Sequence, residues 1–298
     1  MADIILHHYA RSPFSEKVRA VFGFKGLAWR GVEVPRMLPK PDLMPLTGGY
    51  RKTPVMQIGA DIYCDTRLIL EELERRTPKP TLYPAGTRGQ ANIVAAWFDQ
   101  TFFGQAVGLV FGTNADQIPQ EFKEDRRKMT AGSPLGFDAD IMKKALPHTK
   151  AQVLSELPWI EASLGEERTF LLANAPTVAD FAAYHCFWFL NLNLPGHDLF
   201  APFPRIRQWI ARMAEFGTGE GTPLDPKEAL AIARTAPKSG RGKGGRKVTV
   251  SANDYGRDPV AGTLALLDER EIVIRREDEA VGEVILHFPR IGFTVSDA

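Results

Sequence analysis

The sequence is short of cysteine, of net charge and of long apolar runs. Cys64 and Cys186 are the only cysteines in 298 residues, too few for a disulfide framework or a cysteine-built metal site. Lysine and arginine (37) nearly cancel aspartate and glutamate (36), leaving a formal net charge of +1. No global field therefore draws the chain to nucleic acid or to an acidic membrane. No stretch approaches the roughly 18 uninterrupted apolar residues that a membrane span needs. Met1-Ala2-Asp3 leads straight into a strand-like run, without a basic segment and apolar core before it, so the expected location is the cytoplasm. What is present is ordinary for a globular protein, 44% hydrophobic and 24% charged, in a chain long enough for two domains or a little more.

The stretch from Ile4 to Arg19 organises the rest. Ile4-Ile5-Leu6 reads as a buried strand that stops at Tyr9-Ala10-Arg11, and Ser12-Pro13 is a helix start. Serine caps the free backbone amides, and proline suits the first helical position. Val18, Val21 and Phe22 then recur at helical spacing, laying one apolar face on the strand. A hydroxyl at a helix N-terminus lies in positive potential, where a bound thiolate would be stabilised. Read alone, Ser12 reads first as a helix cap and nothing more. Ser15 reads as a first-turn residue.

Residues 1 to 80 continue as a second strand (Ala28 to Val34), a Pro/Gly-rich connection (Pro35 to Tyr50), a hairpin through Gly59-Ala60-Asp61, and a helix capped by Asp65-Thr66. Pro54 opens a strand. In a cis bond it would turn the backbone groups of Val55 toward a ligand. A Pro-rich linker follows, and residues 88 to 235 read as helices. Val94, Phe98 and Phe102 share a face, and Asp138 to Leu164 is helical with Pro147 and Pro158 expected to kink or interrupt it. Residues 113 to 137 read as a loop with a short helical piece. Thr177-Val178-Ala179-Asp180 is a capping-box start to a nearly all-apolar helix, which places Phe187-Trp188-Phe189 in the core.

Residues 236 to 247 form a basic, Gly-rich linker, and residues 248 to 298 alternate in five apolar sets: Val248/Val250, Leu264/Leu266, Ile272/Ile274, Val284/Leu286/Phe288 and Ile291/Phe293/Val295. A small antiparallel sheet is expected there, with a hairpin between Ile272–Arg276 and Glu283–Phe288, packed on the main body or on a partner chain. His7 and His8 are adjacent on a strand and point to opposite faces, so they make no metal pair. Cys64 reads as a buried strand residue. No metal is expected.

Strand, Ser-Pro-Phe-Ser, helix; Lys-Thr-Pro-Val-Met; Cys-Asp-Thr opening a helix; a Pro-rich linker; and Ala-Pro-Thr-Val-Ala-Asp-Phe in a helical half occur in one order. Over residues 3 to 235 this resembles a cytosolic glutathione transferase of the serine type. The resemblance implies an α/β thioredoxin-like N-terminal domain, an all-α C-terminal domain, and a homodimer, with the β extension added. It makes glutathione the co-substrate and an apolar electrophile its partner. It also implies that Ser12 stabilises the glutathione thiolate, with Tyr9 and Ser15 in reserve. Pro54 matches the family's cis-proline, and Val55 the residue whose backbone pairs with the cysteinyl unit. Asp65 and Thr66 stand where the γ-glutamyl group is held, though the family usually has Glu-Ser or Asp-Ser there. Lys40 is placed to meet the glycine carboxylate. Two alternatives stay open: a non-catalytic scaffold that binds glutathione or a protein, and nucleic-acid binding through the basic linker, which lacks interleaved aromatics.

Overall fold

The computed structural model describes residues 3–133, 136–165, 167–194, 196–237 and 245–298. Its N-terminal part runs β1 (Ile5–His8), α1 (Pro13–Lys25), β2 (Ala28–Glu33), a short α2 (Met44–Thr47), β3 (Val55–Ile58), β4 (Asp61–Cys64) and α3 (Thr66–Arg76). β1 pairs parallel with β2 and antiparallel with β3, and β3 pairs antiparallel with β4. Strand alternation sends neighbouring residues to opposite layers. Leu6, Met56 and Tyr63 join α1, α3 and the helical half, whereas Ile5, Val55 and Ile62 face a second core.

The helical half comprises α4 (Arg88–Trp97), a π-helical turn (Phe98–Phe102), α5 (Phe103–Thr113), α6 (Gln120–Met129), α7 (Ala139–Ser163), α8 (Val178–Asn193) and α9 (Pro204–Glu215). Arg88–Thr113 is, among the described residues, the one helical run long and apolar enough to cross a membrane. Here its apolar groups go inward: Ala91, Ala95, Phe98, Phe102, Ala106 and Val110 are buried in the first core, and Phe103, Val107 and Phe111 line a cavity. The capping box at α8 is formed, with Asp180 Oδ2 accepting from the Thr177 amide at 2.8 Å and its hydroxyl at 2.9 Å. The expected interruption of Asp138–Leu164 does not occur: α7 is continuous through Pro147 and Pro158. Both prolines and the residues four positions before them, Lys143 and Leu154, are exposed. The carbonyls that lose their helical donors can therefore turn to water.

Two short elements within the span assigned above to the helical domain pack on the sheet. β5 (Glu220–Pro223) pairs parallel with β2, and α10 (Pro226–Thr235) places Ala229 and Ala233 in the second core. Gly221 makes the β5 contact possible, since a Cβ there would lie 2.7 Å from the Trp29 ring.

The C-terminal strands are β6 (Lys247–Ala252), β7 (Val260–Leu267), β8 (Glu271–Asp278), β9 (Gly282–Pro289) and β10 (Phe293–Asp297). They pair antiparallel with one another, including the expected β8–β9 hairpin. They do not form a separate sheet. β9 pairs parallel with β4, giving one ten-stranded sheet in the order β10-β6-β7-β8-β9-β4-β3-β1-β2-β5. Val284, Leu286 and Phe288 extend the second core, each burial worth about 1.5–3 kcal/mol. Two of the alternating residues leave the core. Leu266 follows a register shift in β7 and is half-exposed, and Ile291 precedes a turn at Gly292 and is 62% exposed. Of the basic linker, residues 238–244 lie outside the described residues.

His287 fastens the junction. Its Nε2 lies 2.9 Å from Asp61 Oδ1, its Nδ1 lies 3.0 Å from Glu271 Oε2, and its ring stacks on Tyr63 at 4.5 Å. Burial alone would lower its pKa, but the hydrogen bonds to Asp61 and Glu271 outweigh it and raise the value.

Candidate functional site

Ser12 is the N-cap of α1. Its Oγ accepts the Ser15 amide at 3.2 Å, and the residue is 1% exposed. Among the described residues no acceptor takes its hydroxyl proton, so the group is held by the helix while its donor remains available. It lies in the wall of a cavity of about 420 Å³ that is also lined by Tyr9, Lys40, Thr53, Phe103, Phe111 and Tyr255. Ser15 lines neither this cavity nor the next one. Its own Oγ is buried and has no partner among the described residues.

A second cavity, of about 350 Å³, adjoins the first and shares Phe14, Lys52, Thr53 and Tyr255 with it. Pro54, Asp65, Thr66 and Arg67 form one side. The Thr53–Pro54 bond is cis. Val55 lines neither cavity; it pairs with Cys64 and with His7 across the sheet, and its side chain enters the second core. Asp65 caps α3, with its Oδ1 accepting the Arg67 amide at 2.9 Å, and among the described residues it alone combines a side chain with positive φ (76°). Such a conformation costs about 1–3 kcal/mol and persists only where its surroundings fix it. Burial raises the Asp65 carboxyl above its ordinary range, against the opposing pull of Lys52 and the Arg67 amide. α3 starts at Thr66, so its first turn sits at the cavity edge, where the amides not taken by Asp65 can receive a carboxylate.

Lys40 sits in the larger cavity, its Nζ donating to Arg51 O at 3.0 Å and Thr53 Oγ1 at 2.7 Å. Burial, followed by repulsion from Arg126 and Arg51, brings its ammonium down to about 7 against the pull of Asp125. Cys64 is a buried free thiol in β4, as its position in the sequence suggests, and burial keeps it protonated. His7 bonds Gln57 at 2.8 Å and His8 meets Arg19 at 3.0 Å. Among the described residues no group of three His, Cys, Asp or Glu side chains could hold a metal ion.

Three contributions were not read from the sequence. Asp99, on the π-helical turn, reaches the smaller cavity from the helical half. Its Oδ2 is 2.6 Å from Lys17 Nζ, and its Oδ1 is 3.0 Å from His185 Nε2. Lys17 Nζ also donates to Thr66 Oγ1 at 3.2 Å. Burial would raise the Asp99 carboxyl, but Lys17 and then His185 hold it down to about 2. The ion pair thus ties the start of α3 to the helical half. The signal was available, because Asp99 is the sole acid in the apolar run from Arg88 to Thr113. The second contribution is the extension, whose Asn253, Asp254, Tyr255 and Ile291–Phe293 close the smaller cavity. Lys52 bridges to it, 2.5 Å from Asp254 Oδ1 and 4.4 Å from the Tyr255 ring centroid. The third is a set of arginines around the larger cavity, among them Arg36 and Arg126.

Residues 6–81 match the family model of the glutathione S-transferase N-terminal domain, and residues 143–212 match that of the C-terminal domain. A GST-like protein from Pseudomonas syringae is 36% identical over 100% of both chains, with a TM-score of 0.83. A glutathione S-transferase from Rhodospirillum rubrum is 20% identical, covering 80% of this chain and 94% of its own, with a TM-score of 0.54. A glutathione S-transferase from Methylobacterium radiotolerans, solved in complex with glutathione sulfonate, is 20% identical over 74% of this chain and 97% of its own, with a TM-score of 0.53. No curated protein matches the chain. The two more distant structures share the fold, and the match to the Pseudomonas syringae protein also extends over the C-terminal strands, since it spans both chains end to end.

Proposed function

Because the chain belongs to the glutathione S-transferase family, we propose that it is a serine-type glutathione transferase. Glutathione occupies the smaller cavity, and its thiolate points across the shared wall toward Ser12. The observation that carries this reading is the placement of a buried helix-capping hydroxyl, with its proton unclaimed, in a cavity that adjoins the one formed by Pro54, Asp65 and Thr66.

Each end of the tripeptide has a complementary group. The Asp65 carboxylate and the first amides of α3 suit the γ-glutamyl ammonium and carboxylate. The glycine carboxylate reaches Lys40 and Lys52 at the mouth of the larger cavity. Pro54, in its cis bond, flanks the cysteinyl unit, whereas Val55 lines neither cavity. A free thiol is only slightly ionised at neutral pH. A hydrogen bond from Ser12 Oγ, in the field of the α1 N-terminus, lowers the energy of the thiolate relative to the thiol. In conjugation that thiolate forms a C–S bond at the electrophilic carbon, and the leaving group departs with the electron pair. In isomerisation the same sulfur adds and is later expelled. Tyr9 lines the same cavity and is the reserve donor.

The test has two parts. Retention of the full chain on immobilised glutathione reads the binding step. Ultraviolet difference titration of bound glutathione reads the thiol ionisation, which should lie well below that of free glutathione and return toward it in Ser12→Ala. Retention without a lowered thiol pKa would favour the scaffold reading, in which glutathione or a protein is bound and nothing is turned over. A homodimer belongs to the same proposal and is checked by light scattering. The β4 edge is already taken by β9 within the chain, so a second copy would use another face.

A further inference from the structure

The larger cavity is lined by Arg11, Arg36, Lys40, Arg51, Lys52 and Arg126, and by no aspartate or glutamate among the described residues. Two of these charges are matched nearby, Arg51 by Asp125 at 2.5 Å and Lys52 by Asp254 at 2.5 Å. The others are not. Arg11 donates to the neutral Asn193 Oδ1, and Lys40 donates to two neutral oxygens. Arg126 Nη1 donates to the neutral Met129 Sδ at 2.9 Å and lies 3.8 Å from Asp125 Oδ2, a carboxylate already engaged by Arg51. Arg36 has no ion-pair partner among the described residues. One glycine carboxylate from glutathione offsets one of these charges and leaves a surplus.

The surplus has a defined place. The Arg36 and Arg126 guanidinium carbons both approach the Phe122 ring, at 5.6 and 4.7 Å from its centroid. Arg126 Nη2 also donates to the Arg36 carbonyl at 2.7 Å, which fixes the two segments together. Around them the wall is aromatic: Phe111 stacks on Phe122 at 5.7 Å and meets Phe137 edge-on at 5.1 Å. Two guanidinium forks beside a flat apolar slot suit an oxyanion carried on an aromatic ring. A neutral occupant would strip water from the Arg126 guanidinium, 17% exposed, and return nothing to it.

We propose that the second substrate is an aromatic anion, its ring against Phe111 and Phe137 and its carboxylate or sulfonate at Arg36 and Arg126. This rests on the transferase reading for the word substrate, whereas the anion preference is a property of the cavity and is read without turnover. Burial is the main cause of the depressed Lys40 ammonium, and Arg126 and Arg51 add to it in the same direction.

Isothermal titration of the full chain with naphthalene sulfonate and with the neutral naphthalene sulfonamide tests the inference, each with and without saturating glutathione. The sulfonate should bind at least about tenfold more tightly. It should keep that preference when glutathione is present. Arg36→Gln removes an exposed side chain that makes no hydrogen bond among the described residues, so it should leave the thermal transition in place while cutting the preference several-fold. Arg36→Gln combined with Arg126→Gln should bring the ratio close to one. Equal binding of the two probes, a preference that survives the double variant, or displacement of the sulfonate by glutathione would overturn the inference. Failure to retain glutathione would remove the transferase reading but leave the probe ratio interpretable. Retained glutathione with equal probe binding would remove only the anion.

Discussion

The two adjoining cavities are built by different means. The smaller one takes one wall from residues close in sequence, Pro54 and Asp65–Arg67, held by local caps and a hairpin, and is completed by Asp99 and the extension. The larger one collects side chains from the Pro-rich connection, α5, α6, the start of α7 and the extension, segments that meet only after folding. A wall made from local geometry carries its chemistry in a short motif. A site made by convergence carries it in charge and shape, which can diverge while the motifs stay the same.

Breaking that division at its hinge should have the largest effect. Ser12→Ala is expected to lower the turnover of an aryl halide about 100-fold, the scale for loss of one donor to a developing or stabilised anion. Loss of the cap should cost about 1 kcal/mol of stability. Ser12→Asn keeps the cap without the hydroxyl, so it should recover the stability and not the rate. Equal turnover by Ser12→Ala and the parent would take Ser12 out of the reaction.

Asp65→Asn probes the smaller cavity alone. It retains an oxygen for the Arg67 amide and loses the charge, so glutathione affinity should fall about tenfold, roughly 1.4 kcal/mol, measured by titration. Affinity of the larger cavity for an aromatic sulfonate should not change, and a parallel loss there would show that the two cavities are one site.

Lys40 offers a smaller effect with a sign fixed by its environment. Its ammonium is held near 7 by burial and by Arg126 and Arg51. An anion binds the protonated form, so glutathione affinity should decline as pH rises through about 7. Lys40→Met should flatten that profile and lower affinity a few-fold, as seen by titration across the neutral range.

The smallest expected change serves as a control outside both cavities. His287 gains its partners on folding, and its pKa is raised above the unfolded value. Its stabilisation is therefore complete below the unfolded imidazole range and is lost as pH rises through the raised folded value. His287→Gln should remove that slope from a denaturation series, at a cost on the order of 1 kcal/mol. Both ligand affinities should stay as they are.

Sequence by itself determined the local steps of this protein. Ser12-Pro13 starts α1, Asp65-Thr66 starts α3, Thr177 and Asp180 close the capping box of α8, and the Gly59 turn makes the β3–β4 hairpin. Each is written within three or four residues, because capping and turn hydrogen bonds reach no further. Asp99 was legible in principle, as a lone acid in an apolar helix, but its partners Lys17 and His185 lie 82 and 86 positions away. The continuity of α7 depended on which side of the helix Pro147 and Pro158 faced, and packing decides that. The tertiary structure alone settled the parallel union of β4 and β9, where His287 meets Asp61 across 226 positions. A parallel pair has no connecting turn to announce it. The cationic lining of the larger cavity was settled the same way: arginines scattered along a nearly neutral chain become a field only when folding points them into one space.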